Sequence, residues 1–218
     1  PLSQPPRRAA RALRPLTFSA PAPTFGELRR RVRAQLGQDF RYDHSVRVAR
    51  CADLLAHRHG LDARKARLAG MLHDLARLYA PERLVAECEL RGMPIDAFER
   101  ANPVVLHARL GAALAREQFG VRDDDVLSAI EKHTTAAGEM SPLDRTVYLA
   151  DSLEPGRAFP ERAGFWQLAL RDLDDAMRAV IVHAVDYLRG RGLAPAPQTL
   201  AAARALGLPL GEVPASAI

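Results

Sequence analysis

Residues 69–77 read Ala-Gly-Met-Leu-His-Asp-Leu-Ala-Arg, and this stretch decides the predicted fold class. Asp62 stands a few residues before it, where its carboxylate can cap the N-terminus of a helix. We therefore predict a helix from Ala63 to about Arg77 that carries an ionisable His-Asp pair close to its end. The apolar positions of this helix recur at helical spacing and include Ala66, Ala69, Gly70, Leu72 and Leu75.

The helical pattern continues on both sides of this stretch. Towards the N-terminus, Thr24 is placed to cap a helix that ends near Leu36, where Gly37 stops it. No segment shows the period-2 alternation rich in Val, Ile and Thr that is typical of strands. We therefore predict an all-α fold, a single helical bundle packed around one core. Further helices are predicted at about residues 41–59, 81–92, 96–101, 104–119, 124–133, 142–152, 165–189 and 198–205.

Three parts are predicted along the chain. Residues 1–23 contain six prolines and are expected to be a disordered basic leader, because so many prolines cannot enter a helix interior. Residues 24–195 form the helical domain, and residues 196–218 form a short helix and a tail. Residues 1–33 hold eight arginines and one acid, so the rest of the chain carries −2 of the total charge of +5. This nearly neutral remainder predicts no specific nucleic-acid partner.

The composition argues against several classes of protein. No apolar run approaches the roughly 18 to 20 residues that a membrane-spanning helix requires, so no membrane partner is expected. The leader lacks the apolar region of a signal peptide. The two cysteines, Cys51 and Cys88, have no CxxC spacing and are too few for a disulfide framework. We therefore expect a cytoplasmic protein.

Some of the seven histidines stand where a metal ligand would be expected. The pair His73-Asp74 follows an apolar run, and burying such a pair is costly unless a metal or another partner compensates. Asp151 likewise interrupts an apolar run, residues 147–150. Imidazole nitrogen with carboxylate oxygen suits Fe, Mn, Co or Zn, and the absence of thiolate argues against a structural zinc site. Three histidines lack such surroundings and are expected at the surface: His57, His59 and His183.

Four separated blocks of sequence carry a family resemblance. They are residues 41–49 (Arg-Tyr-Asp-His-Ser-Val-Arg-Val-Ala), 69–77, 130–135 (Ile-Glu-Lys-His-Thr-Thr) and 148–157 (Tyr-Leu-Ala-Asp-Ser-Leu-Glu-Pro-Gly-Arg). The order His44, His73-Asp74, Asp151 resembles the signature of the HD superfamily of metal-dependent phosphohydrolases. Together the blocks look like the YqeK-type symmetrical diadenosine tetraphosphatases. The resemblance covers about residues 25–190 and implies a single HD-domain helical bundle.

The resemblance implies a centre with two metal ions, with iron as the expected metal and manganese, cobalt or zinc as alternatives. Asp74 would bridge the two ions and act in catalysis together with Arg77. The first ion would be held by His44, His73, Asp74 and Asp151. The second ion would be held by Asp74, His107 and His133. Groups near the substrate phosphates would be Arg41, Arg77, Thr134 and Arg157.

Two positions depart from the pattern of that family. Arg77 stands where lysine is usual, so the positive charge is kept but is presented as a planar fork instead of a point donor. Ala136 stands where glycine is usual after the two threonines, and the next glycine is Gly138. The second departure concerns the shape of the loop after His133, and with it the fit of a nucleotide.

The resemblance implies hydrolysis of a nucleotide. A two-metal-activated water would cleave diadenosine tetraphosphate, a dinucleoside polyphosphate, symmetrically to two ADP. Two alternatives stay open: an HD phosphohydrolase acting on another nucleotide, such as a deoxynucleoside mono- or triphosphate, and a non-catalytic nucleotide-sensing module. Bound metal would favour the enzyme over the module, because a pure sensor does not need all six ligands. Assembly as a homodimer is a further expectation.

Overall fold

The computed structural model describes residues 24–209, and within them the chain is helical with no strand. The predicted all-α fold is confirmed. The expected leader at residues 1–23 and the tail from residue 210 lie outside the described residues. The eleven α-helices of residues 24–209 are α1 (Phe25–Leu36), α2 (Asp39–Arg58), α3 (Ala63–Leu72), α4 (Pro81–Leu90), α5 (Ala97–Ala101), α6 (Leu106–Phe119), α7 (Asp124–Lys132), α8 (Pro142–Leu153), α9 (Arg162–Ala169), α10 (Leu173–Gly190) and α11 (Pro197–Ala205). A 3-10 turn, Pro103–Val105, comes directly before α6.

One hydrophobic core joins the helices α2, α3, α6, α7 and α8. At Gly70, α3 is in backbone contact with α2, because an added Cβ atom would lie only 2.9 Å from the Cα atom of Ala49. A side chain larger than hydrogen would therefore push the two helices apart. The fully buried side chains of this core include Leu55, Leu72, Leu110, Ile130 and Leu149.

Short polar residues determine where several helices begin. Thr24 caps α1 in a reciprocal pair with Glu27, and Gly37 ends α1 in the left-handed conformation. Asp62 accepts hydrogen bonds from two backbone N–H groups at the start of α3. Ser141 caps α8 in the same way as Thr24 caps α1. These caps satisfy backbone groups that a helix leaves without partners, and the predictions at these helix ends are confirmed.

The predicted end of the third helix at Arg77 is wrong. The helix α3 ends at Leu72, and residues 73–78 form turns. The side chain of His73 explains this early end. Its Nδ1 atom lies 2.8 Å from the carbonyl oxygen of Gly70, which would accept the N–H group of residue 74 in a continuing helix. The turns that follow use hydrogen bonds to carbonyl groups three residues back.

The predicted helix at residues 165–189 is also wrong, because the structure has two helices there, α9 and α10. Asp172 separates them. Its carboxylate accepts hydrogen bonds from the N–H groups of residues 174 and 175 and so begins a new helix. The side chains of Arg58 and His59 contact carbonyl groups at the end of α9. The other helix ends lie within two residues of their predicted positions.

The helix α11 packs against α10 and buries Ala202 and Ala203 in the common core. The predicted domain boundary at residue 195 nevertheless stays a prediction. Within residues 24–209, no helix is both long and apolar enough to cross a bilayer.

Candidate metal centre

The six residues predicted as metal ligands lie together inside the bundle. Five of them are buried, and Asp151 is half-buried. Elements far apart in the sequence supply these side chains. His44 lies in α2, His73 and Asp74 directly follow α3, His107 lies in α6, His133 directly follows α7, and Asp151 lies in α8.

The Nδ1 atom of every histidine in this cluster has a hydrogen-bond acceptor. In three of them the acceptor is the carbonyl oxygen three residues earlier: His73 with Gly70 at 2.8 Å, His107 with Val104 at 2.5 Å, and His133 with Ile130 at 2.7 Å. In His44 the acceptor is a carboxylate oxygen of Glu154, at 3.0 Å. Because a carbonyl oxygen only accepts, Nδ1 carries the proton in His73, His107 and His133, and their Nε2 atoms are left with a free lone pair. His44 differs, because burial lowers its pKa but carboxylate oxygens beside both of its ring nitrogens raise that pKa above its usual value.

These Nε2 atoms face one another in two pairs. His44 and His73 have Nε2 atoms 3.2 Å apart, and the same distance separates those of His107 and His133. With both protons on Nδ1, the pair of His107 and His133 consists of two acceptors and no donor. Thr134 can donate its hydroxyl proton to only one Nε2 of the second pair, from 3.0 or 3.2 Å. Buried acceptors that face each other need a positive partner, and a cation supplies one.

The carboxylate of Asp74 lies between the two pairs. Its Oδ2 atom is 3.7 Å from Nε2 of His44 and 3.6 Å from that of His73. Its Oδ1 atom is 3.3 Å from Nε2 of His107 and 3.9 Å from that of His133. One oxygen therefore faces each pair, which is the arrangement required of a carboxylate shared between two ions.

Asp151 adds a second carboxylate to the first pair. Its Oδ1 atom lies 3.0 Å from Nε2 of His44 and 3.8 Å from Nε2 of His73. The donor atoms of these three residues all lie within 4.8 Å of one another. The donor atoms of His73, Asp74 and His133 also lie within 4.8 Å of one another. The nitrogen and oxygen donors of the described residues therefore fit a divalent transition-metal ion in chemistry as well as in spacing.

The electrostatics of the cluster favour the ligand forms of His133 and Asp74. Burial lowers the pKa of His133 to about 3, so its ring is neutral near pH 7. Burial alone would raise the pKa of Asp74, but the surrounding rings of His73 and His107 hold that pKa below its usual range. Neutral imidazole and ionised carboxylate are the forms that bind metal ions.

Three of the four residues predicted near the substrate phosphates lie at this cluster. Arg41 places Nη1 3.5 Å from Oδ2 of Asp74, and Arg157 places Nη2 2.5 Å from Oδ1 of Asp151. The hydroxyl of Thr134 lies against the second histidine pair, as described above. Arg77 differs, because its guanidinium forms no ion pair with another residue of 24–209, although it follows Asp74 by one turn.

Arg47 was not among the predicted site residues, and the sequence left Glu154 open between a contact with metal-bound water and a cap at a helix end. The Oε2 atom of Glu154 accepts hydrogen bonds from Nε of Arg47 at 2.5 Å and from the N–H group of Gly156 at 2.6 Å. Burial would raise the pKa of Glu154, but these two donors and His44 lower it to about 2. Spacing could have indicated both residues, since Arg47 follows His44 and Glu154 follows Asp151 by three positions.

The remaining histidines lie elsewhere. The His57 ring contacts the backbone of its own helix, and the His59 ring contacts the carbonyl oxygen of Ala169. The His183 ring stacks on Phe159 with ring centroids 4.7 Å apart. His57 is exposed and the other two are half-buried, so none of the three lines the cluster.

Comparisons with known proteins point in the same direction as the geometry. The family model described as HD domain matches residues 41–156. A protein of Bacillus subtilis named symmetrical bis(5'-nucleosyl)-tetraphosphatase is 35% identical over 161 residues, which are 74% of this chain and 86% of that protein. A protein of the same name from Halalkalibacterium halodurans is 34% identical over 75% of this chain and 87% of its own length. A crystal structure from Clostridium acetobutylicum, titled as a predicted HD superfamily hydrolase involved in NAD metabolism, superposes with a TM-score of 0.81 at 32% identity, covering 84% of this chain and 96% of that one.

Proposed function

The chain belongs to the HD domain family, and we propose that it is a metal-dependent hydrolase that cleaves diadenosine tetraphosphate symmetrically to two ADP. The observation that carries this proposal is the convergence of four histidine Nε2 atoms on two carboxylates. The names of the relatives from Bacillus subtilis and Halalkalibacterium halodurans support the choice of a dinucleoside tetraphosphate. The complete set of donors argues against the alternative of a sensor without catalysis.

We propose the following ligands for two divalent cations. Asp74 is shared, because its two oxygens face different histidine pairs. The first cation takes His44, His73, Asp74 and Asp151, and the second takes Asp74, His107 and His133. Iron is the proposed metal, and manganese, cobalt or zinc would fit the same nitrogen and oxygen donors.

When bound, two such cations neutralise phosphate charge and lower the pKa of a water molecule towards neutrality, so that it can attack phosphorus. The protein prepares for this by keeping its four histidine rings oriented through their Nδ1 atoms. The rings of His73 and His133, whose pKa values are lowered by burial, add no charge of their own. Bound cations would therefore give the cluster a net positive charge, which would attract an anionic polyphosphate.

The arginines at the rim are proposed to hold the phosphates. Arg41 and Arg157 stand beside Asp74 and Asp151, the two carboxylates that are proposed to hold the first cation. The side chain of Arg41 is partly exposed, and its guanidinium would donate to a phosphate oxygen. Thr134 would donate its hydroxyl to a phosphate oxygen beside the second histidine pair. Arg77, one turn after Asp74, would stabilise charge on the departing nucleoside diphosphate.

The test is a product analysis with the full chain reconstituted with iron or manganese. Diadenosine tetraphosphate should give ADP as its sole nucleotide product. ATP together with AMP would contradict symmetric cleavage. Hydrolysis of deoxynucleoside mono- or triphosphates without hydrolysis of the dinucleotide would overturn the proposed substrate and favour the alternative HD activity.

Location and assembly are parts of the proposal that need their own measurements. Cys51 and Cys88 are both buried and unpaired, which supports a reducing compartment such as the cytoplasm. The predicted homodimer can be tested by light scattering on the purified chain.

A further inference from the structure

The C-terminal helix α11 touches the loop that follows His133. The hydroxyl of Thr199, in the first turn of α11, donates a hydrogen bond to the carbonyl oxygen of Thr135 at 2.8 Å. Thr199 is 6% exposed, so this bond is shielded from water. Two residues further along α11, the Cβ atom of Ala201 would lie 3.5 Å from a Cβ atom added at Gly138. The helix thus bonds to the loop before Ala136 and lies close to it after Ala136.

The loop has a backbone conformation that is unfavourable for alanine unless neighbouring residues stabilise it. Ala136 has a φ of 57°, which is the left-handed conformation that usually requires glycine. Its N–H group closes the turn by donating to the carbonyl oxygen of Lys132 at 3.0 Å. Ala136 is 2% exposed, so its methyl group packs inside the protein. Strained backbone of this kind persists only where its surroundings hold it.

The loop also carries a group of the metal centre. Thr134 precedes the residue held by α11, and its hydroxyl oxygen lies 3.0 Å from Nε2 of His133 and 3.2 Å from Nε2 of His107. The peptide carbonyl of Thr135 is therefore one residue from a side chain at the centre. A rotation of the loop would move that hydroxyl away from both rings.

We propose that Thr199 is a positioning residue of the catalytic centre and that α11 clamps the loop at residues 133–138. The clamp keeps the strained turn at Ala136 closed, and the closed turn keeps the hydroxyl of Thr134 against the second histidine pair. This inference rests on the proposed function, because it takes the centre to be the place of hydrolysis. It makes residues beyond the predicted boundary at 195 a part of the active unit.

The test compares Thr199→Val, which removes the donor at nearly constant shape, with Thr199→Ser, which keeps it. In Thr199→Val we expect amide exchange at residues 134–137 to be faster by about tenfold, because a buried hydrogen bond is lost. We also expect kcat/KM for diadenosine tetraphosphate to fall by about tenfold, mainly in kcat. Thr199→Ser should restore both quantities.

Thr146→Val is the matched control. Thr146 is also buried, and its hydroxyl donates to the carbonyl oxygen of Pro142 at the same distance of 2.8 Å, but inside α8. This variant should leave exchange at residues 134–137 unchanged. If amide exchange at residues 134–137 is as slow in Thr199→Val as in the wild type, the clamp is overturned. The clamp is also overturned if Thr146→Val speeds this exchange as much as Thr199→Val does. Faster exchange with unchanged kcat would overturn the positioning role.

Failure of the proposed function looks different from failure of the clamp. If the wild-type chain, loaded with metal, hydrolyses no dinucleotide, the proposed substrate is wrong. The amide exchange rates then test whether α11 clamps the loop. The retention of metal in the three variants tests whether Thr199 positions the centre. Weaker retention in Thr199→Val than in Thr199→Ser or Thr146→Val would support positioning, and equal retention would overturn it.

Discussion

The Nδ1 atom of His44 lies 3.0 Å from Oε1 of Glu154, so the ring of this histidine is oriented by a carboxylate. The other three histidines of the cluster use backbone carbonyl oxygens in the same role. An ionised acceptor makes the imidazole more basic and therefore strengthens its Nε2 atom as a metal ligand. Arg47 and the N–H group of Gly156 hold Glu154 in the ionised form.

Glu154→Gln should therefore weaken metal binding at the position of His44. The amide keeps the size of the side chain but loses its charge, and we expect affinity there to fall by about 10- to 100-fold. Chelator competition with the metal-loaded chain measures this. Glu161→Gln is the control, because its carboxylate lies 4.0 Å from Nδ1 of His183, away from the centre. Equal metal affinity in wild type and Glu154→Gln would show that the carboxylate does not support His44.

Gly70→Ala should destabilise the protein although alanine favours helix. The gain in helix propensity is about 1 kcal/mol, while overpacking typically costs about 1 to 3 kcal/mol. The added Cβ atom would lie 2.9 Å from backbone of α2, which cannot give way as a flexible side chain can, so the overpacking term dominates. Gly164→Ala is the control, since nothing lies within 4 Å of its added Cβ atom and a small gain is expected. Urea unfolding measures both, and a Gly70→Ala variant as stable as wild type would contradict the tight contact.

The sequence predicted the helices well because caps and apolar spacing are local signals. Thr24, Asp62 and Ser141 each stand at a helix start, where the short polar side chain bonds to nearby backbone. The prediction went wrong at Leu72 and at Asp172. At Leu72 the helix ends because the ring of His73, in the histidine cluster, bonds to the carbonyl oxygen of Gly70. At Asp172 a side-chain cap starts a new helix inside a continuous apolar pattern.

The sequence predicted the proposed ligands of the site but not the residues that hold them in place. A family resemblance named all six proposed ligands, and the structure brings them together. The resemblance did not reveal that Arg47 and Glu154 orient His44, because ion pairs between α2 and α8 depend on how the two helices pack. The contact of Thr199 with the loop was equally hidden, since 64 residues separate Thr199 from Thr135.

His133→Ala should remove a ligand from the second cation position only. We expect one metal ion per chain to remain and turnover to fall by orders of magnitude. Elemental analysis beside a hydrolysis assay measures both. His183→Ala removes a half-buried ring that is outside the cluster and should leave metal content and turnover as in the wild type. Unchanged turnover in His133→Ala would remove His133 from the proposed ligands.

Deletion of residues 1–23 should leave thermal stability and hydrolysis nearly unaltered. The prediction follows from composition, because a segment rich in proline and arginine cannot pack a core. Thermal unfolding and steady-state kinetics of the shortened chain test it. A marked loss of either property would mean that these residues belong to the folded domain, against the predicted boundary.

Asp74 carries the central claim, because its two oxygens face different histidine pairs and it alone is asked to contact both cations. Asparagine has nearly the same size but no charge, so the packing should survive while the compensation for two neighbouring cations does not. The decisive measurement is metal content per chain beside turnover of diadenosine tetraphosphate, for wild type and Asp74→Asn prepared alike. We predict that the variant stays folded and helical, binds at most one metal ion and has no detectable turnover. Two metal ions retained with substantial turnover would contradict the account.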